Sequence, residues 1–220
     1  MFEQGIYELL GEGIVETLYM TIVSTAFAYI FGLPLGVLLC VTDKDGIFPI
    51  PIINKVLGFI INLLRSVPFL ILLVFILPFT RMIVGTTIGS TATIVPLVVA
   101  STPFVARMVE SSLKEVDSGV IEAAQSMGSS VFKIIYKVLI PEAKPSLLMG
   151  AAIAITTILG YSAMAGFVGG GGLGAIAVNY GYYRYQQDVM TVTVLLLVIV
   201  VQIFQEVGTR IARLSDRRAK

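Results

Sequence analysis

Two groups of residues stand out for what their side chains can do. The first is Glu122-Ala123-Ala124, followed by Gly128 and then by Val138, Ile140 and Pro141. One carboxylate beside two methyl groups makes or breaks no bonds. It offers a close-approach surface with a single charge, the kind of helix face that docks against another protein. The second group is Tyr161, Ser162 and Met164, beside the glycine-rich run from Gly166 to Gly174. Glycines leave room for a pathway, a ring and a hydroxyl supply its wall, and a flexible thioether closes an apolar gate without a fixed lock. The same run offers a plainer reading, because Gly170 and Gly174 have the small-xxx-small spacing of a helix-packing seam. The sequence has no histidine and one cysteine, Cys40. That excludes imidazole catalysis, an internal disulfide and Cys/His metal clusters. There is also no GxxxxGK[ST] phosphate loop and no HExxH metal motif. No catalytic residue and no metal site can be assembled, so the available chemistry is that of docking and passage.

The composition says what must position these residues. Hydrophobic residues are 56 % of the chain and charged residues 13 %, with a mean hydropathy of +0.93. A water-soluble domain carries about 25 % charged residues. A helix crosses the bilayer core with about 20 apolar residues, and five segments qualify, at about 14–41, 52–79, 88–109, 146–168 and 189–211. The second carries Arg65, Pro68 and Pro78, and the prolines are expected to kink or interrupt it. The chain therefore reads as one all-α integral membrane domain over residues 1–220, with five transmembrane helices.

Lysine and arginine gather on the cytoplasmic side of a membrane protein. With the C-terminus inside, that side receives Lys44, Lys55, Arg65, Arg107, Lys114, Lys133, Lys137, Lys144, Arg210, Arg213, Arg217, Arg218 and Lys220. Only Arg81 and Arg184 fall outside. The N-terminus is then external, and the charged insert 117–141 is a cytoplasmic loop between the third and fourth spans. The stretch from Met1 to Glu16 holds Glu3, Glu8, Glu12 and Glu16 and no basic residue. It lacks the basic region of a signal peptide, so the hydrophobic start is expected to belong to the mature protein. A net charge of +1 makes no case for a nucleic-acid partner.

Within the insert, the pattern predicts two short helices. Asp117 or Ser118 caps the first, which runs to about Met127. Gly128 takes the left-handed conformation that closes it. Ser129 or Ser130 caps the second, whose Val131, Ile134, Ile135 and Val138 share a face, and Pro141 suits the first turn of the next segment. An amphipathic hairpin on the membrane surface and a docking helix both fit this pattern. Arg65, Arg107 and Glu110 fall near cytoplasmic helix ends, where anchoring or pairing between helices accounts for them better than substrate contact. Tyr180, Tyr182, Tyr183 and Tyr185 form an interfacial aromatic belt on the outer side.

The spacing Glu122-Ala123-Ala124, three residues, Gly128, nine residues, Val138-x-Ile140-Pro141 resembles the cytoplasmic Glu-Ala-Ala loop of ABC-type importer permeases. Val138 and Ile140 stand where that family usually has Ile and Leu. Arg65-Ser66-x-Pro68-Phe69, Leu77-Pro78-Phe79-Thr80-Arg81, Pro103-Phe104-x-Ala106-Arg107-Met108-Val109-Glu110 and Gly160-Tyr161-Ser162-Ala163-Met164-Ala165-Gly166 resemble the permease subunit of bacterial methionine importers. The resemblance implies that 117–141 is a coupling loop docking into an ATP-hydrolysing subunit, with Glu122, Ala123, Ala124 and Gly128 as coupling residues. It implies a homodimer in the bacterial cytoplasmic (inner) membrane, with Tyr161, Ser162 and Met164 near its axis on the translocation pathway. Two cytoplasmic ATPase subunits would hold ATP and Mg, with no cofactor on this chain, and an extracytoplasmic methionine-binding protein would deliver the cargo, with the tyrosine belt as one place for it to touch.

The alternatives are the same importer class carrying another amino acid or an osmolyte, and an ion-coupled carrier or channel. Ion-coupled carriers place carboxylates or a histidine relay in midmembrane, and the central parts of these spans have neither.

Overall fold

The computed structural model describes residues 4–215, and these contain helices and turns but no strand. Arg217, Arg218 and Lys220, three of the cations used to orient the chain, lie outside the described residues. The first helix, α1 (Gln4–Thr42), starts well before the expected boundary near Ile14 and stops at the expected turn, where the Gly46 N–H donates to the Asp43 carbonyl at 3.0 Å. In apolar surroundings every polar group needs an internal partner. Thr17, Thr25 and Thr42 accordingly donate to the carbonyls one turn back, at 2.7–2.8 Å.

The expected second span, 52–79, is corrected by the structure to three helices: α2 (Pro51–Ser66), α3 (Phe69–Phe75) and α4 (Leu77–Val84). The break between α2 and α3 bends the chain by 99°. Pro68 has no N–H and disfavours a helical residue before it, so α2 cannot continue through Val67. Pro78 falls in the first turn of α4, where its missing N–H costs nothing. After these come α5 (Ser90–Lys114), α6 (Ser118–Ser126), α7 (Val131–Ile134), a π-helical turn (Ile135–Leu139) and α8 (Ile140–Glu142). The chain continues with α9 (Lys144–Ala165), a 3-10 turn (Gly166–Val168), α10 (Gly172–Ile176), a second π turn (Ala177–Tyr182) and α11 (Gln187–Ser215). Among the described residues, four helical stretches are long and apolar enough to cross a membrane, and a fifth arises if the bent α2–α3 pair is one crossing.

The helices form two compact units. One comprises Met1–Phe27, Val67–Ser101 and Ile155–Gln205. Its apolar cluster joins Leu10 of α1, Leu173 and Ile176 of α10 and Val189 of α11, with Ile14, Tyr180 and Val192 packed around them. Here the glycine run does not form the seam its spacing suggested. Gly170 precedes α10 and is not helical, so Gly170 and Gly174 share no helix face. Gly174 serves a different close approach, since a Cβ there would overlap the backbone of Ala163.

The other unit comprises Ala28–Ser66, Thr102–Ala154 and Glu206–Lys220. Leu39, Ile61 and Ala106 form its cluster, with Leu35 and Leu57 against them. The small-xxx-small seam occurs here, on α1: Gly32 faces Val105 and Thr102 of α5, and Gly36 faces Ala106 and Val109. Asn54 of α2 donates to the free Leu39 carbonyl at 2.7 Å, satisfying backbone near the end of α1.

Candidate functional site

The loop 117–141 is built from its caps inward. Asp117 Oδ1 accepts from the Gly119 N–H at 2.8 Å and fixes the start of α6. At the other end Gly128 has φ +72°, its N–H donates to the Gln125 carbonyl at 2.9 Å, and the Ser129 N–H donates to Ala124 at 3.2 Å. This pair of bonds is a Schellman closure, which needs a left-handed residue at the turn. Between the caps, Glu122 and Ala123 face out while Ala124 is buried within its own unit. Of the two alanines expected to allow a close approach, Ala123 is exposed and Ala124 is buried.

The second half of the loop departs from its α-helical expectation. Ser130 takes the extended N-cap conformation but makes no side-chain cap. Ile135–Leu139 then winds as a π turn, which takes one more residue than an α turn. The apolar face shifts accordingly: Ile134 and Leu139, five apart, are buried, while Val138 is half-buried. Leu139, which the shared-face pattern left out, is thus buried alongside Ile134.

An ionic ladder anchors this loop. Arg107 Nη1 lies 2.6 Å from Glu110 Oε2, and Lys114 Nζ lies 2.9 Å from Glu110 Oε1 and 2.6 Å from Asp43 Oδ2. Arg107 Nη2 also donates to the Gly58 carbonyl and to Asn62 Oδ1, at 3.1 and 2.9 Å. Arg107 thus pairs with Glu110 on its own helix and bridges to α2, in line with the expectation of pairing between helices. The Lys114 ammonium, donating to Asp43 with help from the Lys44 N–H, holds the Asp43 carboxyl below its usual range. Sequence reasoning did not connect Asp43 to Lys114, because their proximity depends on how α1 and α5 meet. Beside the ladder lies a cleft of about 510 Å³ whose lining includes Cys40, Asp43, Lys114, Glu122 and Gln125.

The three residues assigned to a pathway sit differently from one another. Tyr161 stacks on Phe69 of α3, with ring centroids 4.5 Å apart and planes within 8°. Ser162 is buried and donates to the Leu159 carbonyl at 2.7 Å, so its hydroxyl is occupied by its own helix. Met164 is 49 % exposed. Two residues that sequence reasoning passed over touch the glycine run: Glu16 accepts from the Gly172 N–H at 2.6 Å, and Thr17 from Leu173 at 2.9 Å. The available signal was a carboxylate at the edge of a charge-free span. Among the described residues no group of three or more Cys, Asp or Glu side chains is arranged to hold a metal.

The family model described as "Binding-protein-dependent transport system inner membrane component" matches residues 32–220. The chain belongs to this family. The permease is 49 % identical over 211 residues to the probable D-methionine transport system permease protein MetI of Vibrio cholerae, covering 96 % of this chain and 94 % of the relative. With MetI of Escherichia coli K12 it shares 51 % identity over 158 residues, 72 % of this chain and 73 % of that one. Its fold matches a chain of the MetNI methionine ABC transporter solved in inward-facing conformations, with a TM-score of 0.97, 48 % identity, and 98 % and 100 % of the two chains covered. A chain of an amino acid ABC transporter, at 23 % identity and a TM-score of 0.73, shares the fold. The permease is thus a multi-pass membrane subunit of an ABC importer, and it carries no phosphate-binding loop of its own.

Proposed function

We propose that this permease forms the methionine pathway of an ATP-driven importer, as a homodimer joined to two cytoplasmic ATPase subunits and served by an extracytoplasmic methionine-binding protein. The observation that carries the reading is the loop. Its first helix is capped at both ends and presents Glu122 and Ala123 outward, in a chain about half identical to D-methionine permeases. The N-terminus lies outside and the C-terminus in the cytoplasm, which puts Asp117–Pro141 on the side of the ATPases. ATP and Mg belong to those subunits.

Glu122, Ala123, Ala124 and Gly128 form the coupling element in unequal ways. Glu122 and Ala123 meet the partner, Ala124 seats the helix on its own unit, and Gly128 shapes its end. Nucleotide shifts the helices between outward and inward arrangements only as far as it binds one arrangement better than the other. The loop is where that difference is transmitted. Five spans enclose a pathway poorly alone, and a twofold axis places Tyr161, Ser162 and Met164 of both copies around it. Of the three, Met164 is the one with an exposed side chain to close the passage.

The test is ATP-dependent uptake in vesicles holding the permease, its ATPase and its binding protein. Glu122→Arg is expected to abolish uptake while the subunits remain in the membrane, and unlabelled methionine, as D and L forms, is expected to compete. Full uptake by Glu122→Arg would remove the coupling role. Absence of competition by methionine would leave an importer of another amino acid or an osmolyte, and uptake driven by a proton or sodium gradient without the ATPase would point to a carrier.

A further inference from the structure

Glu16 is the last charge of α1 before a run without any, Thr17 to Thr42. A carboxylate so close to an apolar span is costly unless hydrogen bonds satisfy it. Glu16 Oε2 accepts from the Gly172 N–H at 2.6 Å, and Ser90 Oγ donates to Oε1 at 3.5 Å. The neighbouring Thr17 Oγ1 accepts from the Leu173 N–H at 2.9 Å while donating to the Gly13 carbonyl at 2.8 Å. Gly172 and Leu173 open α10, whose N-cap, Gly171, has no side chain to satisfy them. The cap is therefore supplied by α1. Side chains at Gly171 and Gly172 would occupy the space of Glu16 and Thr17.

The capped segment is in turn packed on α9. The Gly170 N–H donates to the Ala165 carbonyl at 2.9 Å, the Gly89 N–H donates to Gly169 at 2.8 Å, and Gly174 lies against the backbone of Ala163. Ala163 and Ala165 flank Met164 in the sequence. One line of contacts thus runs from the Glu16 carboxylate through α10 to the backbone that carries Met164.

We infer that Glu16, assisted by Thr17, is a positioning residue of the transport cycle: it holds the glycine run and α10 against the end of α9 and so sets the resting placement of Met164. The inference rests on the reading of Met164 as part of the pathway. It assigns the glycine run a definite role, as backbone thin enough to be gripped from two sides.

The test uses the whole transporter, with permease, ATPase and binding protein, in vesicles. For labelling, the permease carries Cys40→Ala and Met164→Cys; for exchange and uptake Met164 is native; in each set Glu16 is native, Ala or Gln. Glu16→Ala is expected to speed hydrogen exchange of the Gly172 amide by about tenfold, the loss of one well-made hydrogen bond. It is also expected to raise labelling of Cys at 164 by an external membrane-impermeant maleimide in the nucleotide-free state, and to lower the maximal uptake rate with little change in half-saturation. Glu16→Gln keeps an acceptor oxygen and is expected to restore all three. If Glu16→Ala does not assemble, Thr17→Val, which removes the Leu173 acceptor, is read in the same way. Unchanged exchange, faster exchange with labelling and uptake unaltered, or no rescue by Glu16→Gln each overturns the inference. Labelling that ignores nucleotide while Glu16 is native discards the pathway reading of Met164 and the inference with it. Nucleotide-sensitive labelling that Glu16→Ala leaves untouched discards the inference alone.

Discussion

Lys114 Nζ lies 2.6 Å from Asp43 Oδ2, tying the last residue of α5 to the turn after α1. The loop 117–141 begins shortly after that lysine, so the bond fixes the point from which α6 departs. The pair is partly exposed, at 45 % for Lys114 and 30 % for Asp43, and an exposed pair contributes about 0.5 kcal/mol. Its influence lies more in placement than in stability.

The lowered pKa of Asp43 gives this pair a pH signature. A carboxylate whose folded pKa is depressed adds stability above its unfolded value and loses it as pH falls through the folded one. Thermal unfolding of the detergent-solubilised permease is expected to show Asp43→Asn slightly less stable at neutral pH. The difference should shrink only below about pH 4, where an ordinary carboxylate begins to protonate. A gap that closes near pH 7 would contradict the assignment.

Glu110 is the buried member of the ladder, with its side chain 10 % exposed between Arg107 and Lys114. Removing one partner of a buried ion pair leaves a stranded charge, which costs about 3 kcal/mol. Glu110→Ala is expected to lose that much in chemical unfolding from mixed micelles. Arg107→Met combined with Glu110→Leu should lose less than Glu110→Ala alone, since no unpaired guanidinium remains.

At Gly128 a Cβ would meet nothing within 4 Å, yet φ is +72°. The cost of Gly128→Ala is then backbone strain alone, about 1–2 kcal/mol. Gly128→Asn should be milder, because asparagine tolerates this region better. Uptake in vesicles is expected to rank glycine above asparagine and asparagine above alanine. Equal uptake by all three would show that the closing conformation of α6 is immaterial to coupling.

Gly160 and Gly174 provide a matched contrast. A Cβ at Gly160 meets nothing within 4 Å, whereas one at Gly174 overlaps the Ala163 backbone. Gly160→Ala is expected to leave the melting temperature within a degree or two. Gly174→Ala should cost about 2 kcal/mol, because rigid backbone cannot yield as a side chain does. Similar melting temperatures for the two variants would mean that the close approach is not maintained in the membrane.

Local chemistry carried the features that were legible in the sequence. Asp117 and Gly128 bound α6 because a short acceptor and a residue free to take positive φ each act on their own neighbours. The interruption at Pro68 stems from a missing N–H. Long-range contacts were harder to read. Asp43 and Lys114 are far apart in sequence, as are Glu16 and Gly172, and no local pattern pairs them. The glycine run misled for a related reason: spacing describes a helix face only where a helix exists, and Gly170 lies before α10 begins. Gly32 and Gly36 have the same spacing on an unbroken helix and make the seam.

The π turn at Ile135–Leu139 has a consequence for loop exchange between permeases. It acts as an absorbed insertion, taking up one residue without rewinding the chain on either side. Removing one residue within it would let ordinary α winding resume, with Ile140, Pro141 and the entry to α9 still facing as they do. Loops of two permeases that differ by one residue here can therefore be exchanged without turning the chain that follows.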